Sequence, residues 1–147
     1  HPSQIARLVE SFESTGADCV IGSHLAKNGS TEGVEFLRLL ETKAVNLVYR
    51  VLLNTRIASI TSIFRLYRRD ALSGAEIRSR GFTVNVELLI HVLQMGGKVV
   101  EVPARLTRRS RGHSKLRLTR ELKTHLALMC SIARRRGSWP QRAEKPA

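Results

Sequence analysis

Aspartate, cysteine and aromatic side chains are all scarce in this chain of 147 residues, and each scarcity removes a class of function. Aromatics make up 5% of the chain, too few to interleave with cations as a base-stacking platform, and no recognition helix with a known frame takes their place. Nucleic acid is therefore not an expected partner. The two cysteines, Cys19 and Cys130, form no CxxC pair and read as small buried hydrophobes, not as a disulfide framework or a zinc site. Five histidines show no HExxH or other paired spacing, so no metal site is expected within the chain. No run approaches the roughly 20 apolar residues of a spanning helix, and no signal peptide opens the sequence. The chain begins His-Pro-Ser-Gln without an initiator methionine, as a processed or partial polypeptide would.

What the chain has in excess is positive charge. Lys and Arg number 25 against 12 Asp and Glu, a formal +13, which attracts polyanions over a Debye length of about 8 Å. A hydrophobic content of 42% nevertheless points to one globular domain with a real core. The charge is densest in RRSRGHSKLRLTR, Arg108 to Arg120, which holds six cations and one glycine and no acidic residue. Arginine offers phosphate oxygens a planar fork, lysine a compact charge, and glycine a close backbone approach. That is the chemistry of a phosphate clamp, and also the composition of a solvated basic loop.

Periodicity supplies the frame around this loop. Ile5, Leu8, Val9 and Phe12 form a helical stripe that Ser3 can cap and Gly16 can end. ADCVIGS reads as a short buried strand and LAKNGSTEG as a surface loop. From Val34 to about Leu53, the residues Leu37, Leu40, Ala44, Leu47, Val48 and Val51 recur at helical spacing and predict a core-facing stripe. ASITSIFRLYRRDAL is strand-like, and Asn85 can cap a helix through Leu93 that Gly96 and Gly97 close. In KVVEVPARL, Val100, Val102, Ala104 and Leu106 share one face, and Pro103 confines the strand to an edge or a bulge. Leu122, Leu126, Met129 and Ala133 stripe a last helix, with Glu121 at its start and Arg134 to Arg136 at its end, matching the helix dipole. Residues 137–147 read as a disordered tail. The expectation is an α/β domain over residues 1–136, helices layered on a sheet, with no internal boundary.

The motifs HPSQ, GADCVIGSHL, LRLLETKAVN, SITSIFRLYRRDAL, GFTVNVELL, VVEVPARL and RSRGHSKL follow one another in register across residues 1–120. This series resembles the second half of a family-two glycosyltransferase of the dolichyl/polyprenyl-phosphate mannosyltransferase type. The resemblance implies the C-terminal, acceptor-side half of a GT-A domain, a three-layer mixed sheet flanked by helices. It implies transfer of a sugar, mannose or glucose, from a nucleotide-diphosphosugar to a polyprenyl or dolichyl phosphate, at the cytoplasmic membrane face. The complete enzyme is expected to use a divalent metal, Mg or Mn, on an Asp-x-Asp motif. The only aspartates here, Asp18 and Asp70, form no such pair, so the motif and the nucleotide half are expected before His1, and this fragment alone is expected to be inactive.

Carried over position by position, the resemblance assigns the acceptor phosphate to Arg38 and Thr42 on the long helix and to Arg109, Ser114 and Lys115 of the RxxGxSK loop. His24 joins them, standing where the family has the arginine of GSR. Ser59 replaces an aspartate and Ile63 a glycine of DxTSGFR. Arg65 and Glu87 match family positions and are open to a ligand role or to internal pairing. The terminal helix is read either as an interfacial helix on anionic headgroups or as ordinary packing. A different class of function stays in view: a non-catalytic basic module that binds anionic membrane or another polyanion.

Overall fold

A computed structural model describes residues 2–107 and 118–135. The first helix, α1 (Ser3–Thr15), starts from Pro2; a proline loses nothing there, because the first N–H groups of a helix have no internal partner. Ser3 is already helical, and no side chain caps this end, contrary to the sequence expectation. Gly16 does close the helix, at φ +63°, with its N–H on the Phe12 carbonyl. Of the expected stripe, Leu8 is buried and Phe12 partly so, while Ile5 and Val9 are exposed.

Strand β1 (Cys19–Ser23) is buried at every residue because it is central. In sequence order its partners are β3 (Arg65–Tyr67) and β4 (Val99–Pro103), which bracket it as β3-β1-β4. The β3 pairing is antiparallel, with Val20 opposite Leu66, and the β4 pairing parallel, with Val20 opposite Val100. Alternation then sorts the side chains. Val20, Leu66, Val100 and Val102 pack with Leu8 and Phe12 of α1. Cys19, Ile21, Tyr67 and Val99 face the other way, onto α2 (Phe36–Leu53), α3 (Thr83–Gln94) and α4 (Leu118–Arg135) through Tyr49, Leu53, Val86, Leu89, Met129 and Ile132. Helices thus cover both faces of a mixed sheet, and the α/β expectation holds. The Cys19 thiol, pushed up to about 11 by burial, is a small apolar filler; Cys130, expected to be buried, is exposed.

Several local expectations change. The LAKNGSTEG stretch carries a strand, β2 (Ser30–Glu32), paired in parallel with β5 (Arg105–Thr107) in a fully exposed ribbon. Leu106 is therefore outside the core, whereas Pro103 ends an edge strand of the described sheet as expected. Only Arg65–Tyr67 of ASITSIFRLYRRDAL is strand; a 3₁₀ turn follows at Asp70–Leu72. Helix α3 begins at Thr83, and Asn85 does not cap it but donates its amide to the Phe82 carbonyl at 3.3 Å. The largest revision concerns α2, whose buried residues are Asn46, Tyr49 and Leu53, while Leu37, Leu40, Leu47, Val48 and Val51 face outward. On α4 the same rotation exposes Leu122 and Leu126 and buries Met129 and Ile132.

Asp18 shows how the sheet's entry is fixed. Its carboxylate accepts from Arg68 Nε at 3.0 Å and from the Lys98 N–H at 2.8 Å, and the Arg68 guanidinium lies 5.1 Å over the Phe12 ring. One aspartate therefore joins α1, β1, β3 and the start of β4.

Candidate functional site

At the end of β1 the chain turns through His24, and the turn is held by hydroxyl chemistry. Ser23 Oγ lies 2.7 Å from Ser59 Oγ, both residues being buried, and accepts the Ala26 N–H at 2.9 Å. The loop that brings Ser59 there is fixed on two sides. Glu101 of β4 accepts the N–H groups of Ala58 and Ser59 at 2.7 and 2.9 Å. Asn46 of α2 accepts the Thr61 N–H at 3.0 Å and donates to Thr61 Oγ1 at 3.0 Å and to the Thr42 carbonyl at 2.8 Å. Ser62 Oγ donates to the Gly22 carbonyl at 2.9 Å. A Cβ on Gly22 would sit 2.2 Å from Phe64 Cδ1, so only glycine permits this closeness of β1 to the loop. Ile63, in the position of a family glycine, has no positive φ and directs an exposed side chain outward.

These elements enclose an open cleft of about 680 Å³. Its walls come from the start of α1 (Gln4), the end of β1 (Gly22, His24), α2 (Leu37, Arg38, Glu41, Thr42), the pinned loop (Thr61 to Phe64), β5 and α4 (Glu121, His125). Gln4 anchors one corner: its carbonyl accepts the Arg105 N–H at 2.6 Å and its amide donates to the Arg105 carbonyl at 3.3 Å. Arg105 in turn pairs with Glu32 across the exposed ribbon.

The cleft brings together three of the sequence-derived site residues: His24, Arg38 and Thr42. Thr42 Oγ1 donates to the Arg38 carbonyl at 2.8 Å, one helical turn back. His24 Nε2 is buried without a hydrogen-bond partner among the described residues, and burial lowers the pKa of the ring from its ordinary 6.5, so the imidazole is neutral near pH 7. Arg109, Ser114 and Lys115 lie outside the described residues. Thr107 and Glu121, near the described flanks of that loop, both line the cleft.

Arg65 and Glu87 are placed elsewhere. Arg65 donates to the carbonyls of Asn85 (2.7 Å), Ser59 (3.4 Å) and Ile60 and to the Tyr67 hydroxyl (3.0 Å), tying β3 to the Ser59–Ile60 loop and to the first turn of α3. Glu87 accepts the N–H groups of Arg78 and Ser79 at 2.9 and 2.8 Å beside a second cavity of about 600 Å³. Sequence reasoning missed Gln4, Arg105 and His125 in the cleft and the positioning roles of Asn46 and Glu101. Each is a single residue whose partner is distant in sequence, so no local pattern marked it.

Chemically, the cleft offers the Arg38 and Arg105 guanidiniums, hydroxyls and imidazoles as donors beside three carboxylates, Glu35, Glu41 and Glu121, with Leu37, Ile63, Phe82 and Leu106 as exposed apolar neighbours. Such a lining is amphiphilic, with Arg38 and the neighbouring hydroxyls as its donors to an anionic group. Among the described residues no three His, Cys, Asp or Glu come together as a metal-ligand group. No helix among them is long and apolar enough to cross a membrane.

No family model matches the chain. Individual proteins do. A polyprenol monophosphomannose synthase of Mycolicibacterium smegmatis is 33% identical over 118 residues, covering 78% of this chain and 44% of that protein. An undecaprenyl-phosphate mannosyltransferase of Micrococcus luteus is 31% identical over 118 residues, 78% of this chain and 48% of the relative. A dolichol-phosphate mannosyltransferase of Pyrococcus furiosus is 36% identical over 119 residues, 79% and 33% respectively. The chain belongs to the polyprenyl-phosphate mannosyltransferase family. It spans between a third and about half the length of these mannosyltransferase relatives.

Proposed function

We propose that this chain is the acceptor side of a GT-A-type glycosyltransferase that moves a sugar, mannose or glucose, from a nucleotide-diphosphosugar to a polyprenyl or dolichyl phosphate. The observation that carries the reading is the cleft itself. Residues from two separate motifs, His24 from one and Arg38 and Thr42 from the other, line it, and so do Thr107 and Glu121 near the flanks of the basic loop.

A phosphate monoester is anionic near neutral pH and already a competent nucleophile, so the acceptor site has to place it rather than deprotonate it. In the transfer one phosphate oxygen forms a bond to the anomeric carbon while the bond from that carbon to the donor diphosphate breaks. Arg38 supplies charge-assisted donors to the acceptor phosphate, and Thr42 and His24 supply neutral groups beside it. The basic loop, with Arg109, Ser114 and Lys115, adds the remaining charge. Leu37, Ile63, Phe82 and Leu106 give the first isoprene units an apolar path out of the cleft. In this reading the outward apolar residues of α2 and α4 rest on the cytoplasmic face of the membrane, holding the protein peripherally. The described residues do not fit a divalent-metal site; the Mg or Mn and the donor nucleotide belong to the donor-binding half, and the chain alone transfers no sugar.

The test is a binding titration of the 147-residue chain with farnesyl phosphate and with farnesol, at low and at physiological salt. The phosphate ester should bind and the alcohol should not, and Arg38→Ala should weaken binding about tenfold, the worth of one charged hydrogen bond. Equal binding of unrelated polyanions, lost steeply as salt rises, would instead favour the non-catalytic basic module.

A further inference from the structure

Tyr49 is fully buried between α2 and the sheet, yet its hydroxyl is not idle: it lies 2.9 Å from His125 Nδ1, with the rings edge to face at 5.7 Å. His125 belongs to α4 and lines the cleft, one helical turn after Glu121, which lines it too. The interface of α2 with α4 thus contains a polar pair whose histidine member opens onto the cleft. An apolar pair would serve packing as well, since a buried polar group stabilises only when its partner is exact in distance.

The hydroxyl has one proton to give. Its contact with Nδ1 is short, whereas the His125 carbonyl lies at 3.5 Å and sits inside a helix, where carbonyls are already engaged. The shorter contact favours Nδ1 as the acceptor, which places the ring proton on Nε2. With Nδ1 turned toward a buried hydroxyl, the opposite edge of the ring is the part left for the cleft.

We propose that His125, held in the Nε2–H tautomer by Tyr49, is a further ligand-binding residue of the cleft, donating a hydrogen bond to the phosphate head of the acceptor. The assignment rests on the acceptor reading given above. Tyr49 is then a positioning residue, acting only through His125. The charged and titratable groups among the described residues that share the cleft with the ring are Glu121 on α4, Glu35 just before α2, Arg38 and Glu41 on α2, Arg105 on β5 and His24 at the end of β1. Burial keeps His125 neutral near pH 7 although Glu121 opposes this. A neutral N–H donor beside Arg38 adds direction to the site without adding charge, so it discriminates by geometry where the arginine attracts at range.

The test is farnesyl phosphate titrated into the full chain while the imidazole nitrogens are observed by ¹⁵N NMR. The free protein should show His125 protonated at Nε2, and the ligand should shift that nitrogen. His125→Gln should weaken binding about tenfold. Tyr49→Phe should leave the far-ultraviolet circular dichroism intact, mix the His125 tautomers and weaken binding about threefold. Two failures are distinct. If the ligand binds and Arg38→Ala weakens it, but His125→Gln binds like the native chain and the Nε2 signal does not move, the role of His125 is overturned and the cleft reading stands. If the native chain binds no farnesyl phosphate, or Arg38→Ala binds it equally well, the cleft reading falls and this proposal falls with it. Should Tyr49→Phe unfold, the partly exposed His125→Gln decides alone.

Discussion

Helices α3 and α2 are both rich in apolar residues, and they use them in opposite ways. Helix α3 places Val86, Leu89, Ile90 and Val92 in the core. Helix α2 turns a more regular stripe, Leu37, Leu40, Leu47, Val48 and Val51, to the outside and buries Asn46 and Tyr49 instead. The inward polar groups are the ones with structural partners: Asn46 pins the loop beside the cleft, and Tyr49 reaches His125. An apolar stripe therefore marks a face that avoids water, and it does not say whether the protein's own core is what covers it.

The contrast can be broken most sharply at Leu89, which is 0% exposed. Leu89→Ala should cost about 2–5 kcal/mol in urea unfolding, the usual range for an emptied core site. Next comes Asn46→Ala, which strands the Thr61 N–H and should cost about 2 kcal/mol; a loss no greater than that of an exposed site would show that the loop is held by something else. A smaller effect follows from pH. Burial lowers the pKa values of His24 and His125 below 6.5, so below that value the unfolded chain binds protons the folded one refuses. Stability should fall as pH drops from 7 to 5.5, and the double variant His24→Gln, His125→Gln should lose that share of the slope. Smallest on the stability scale is Leu47→Ala: at 58% exposed it should stay within about 0.5 kcal/mol of the native chain. Should it match Leu89→Ala, the outward face would be a core face after all.

Legibility in the sequence followed the same division. Strand β1 was readable because five consecutive residues are buried on both faces, which leaves an uninterrupted small and apolar run. Helix α2 was readable as a helix but not in its orientation, since two of its three buried residues are an amide and a phenol. Strand β2 left no signal, because Ser30, Thr31 and Glu32 are exposed and polar, and their partners on β5 are about 75 residues away. In the cleft, His24, Arg38 and Thr42 were visible as members of motifs. Gln4 stood in HPSQ with no role assigned and His125 in no motif, since what makes them part of the site is a partner 101 and 76 residues away. Arg65 was visible as a motif residue too, yet both of its terminal nitrogens donate to carbonyls of its own chain.

The link from Gln4 to Arg105 has a consequence for how the molecule is made. Along with the parallel pairing of β1 to β4 and the Asp18 contact with Lys98, it means that α1 and β1 leave a ribosome 80 to 101 residues before these partners do. Closing so long a loop costs entropy before any contact repays it. Until those partners are made α1 and β1 exist without them, and the cleft is complete only when β5 and α4 have been synthesised. The cleft is thus among the last features of this region to form, and a nascent chain halted before Arg105 would carry His24, Arg38 and Thr42 without a site to put them in.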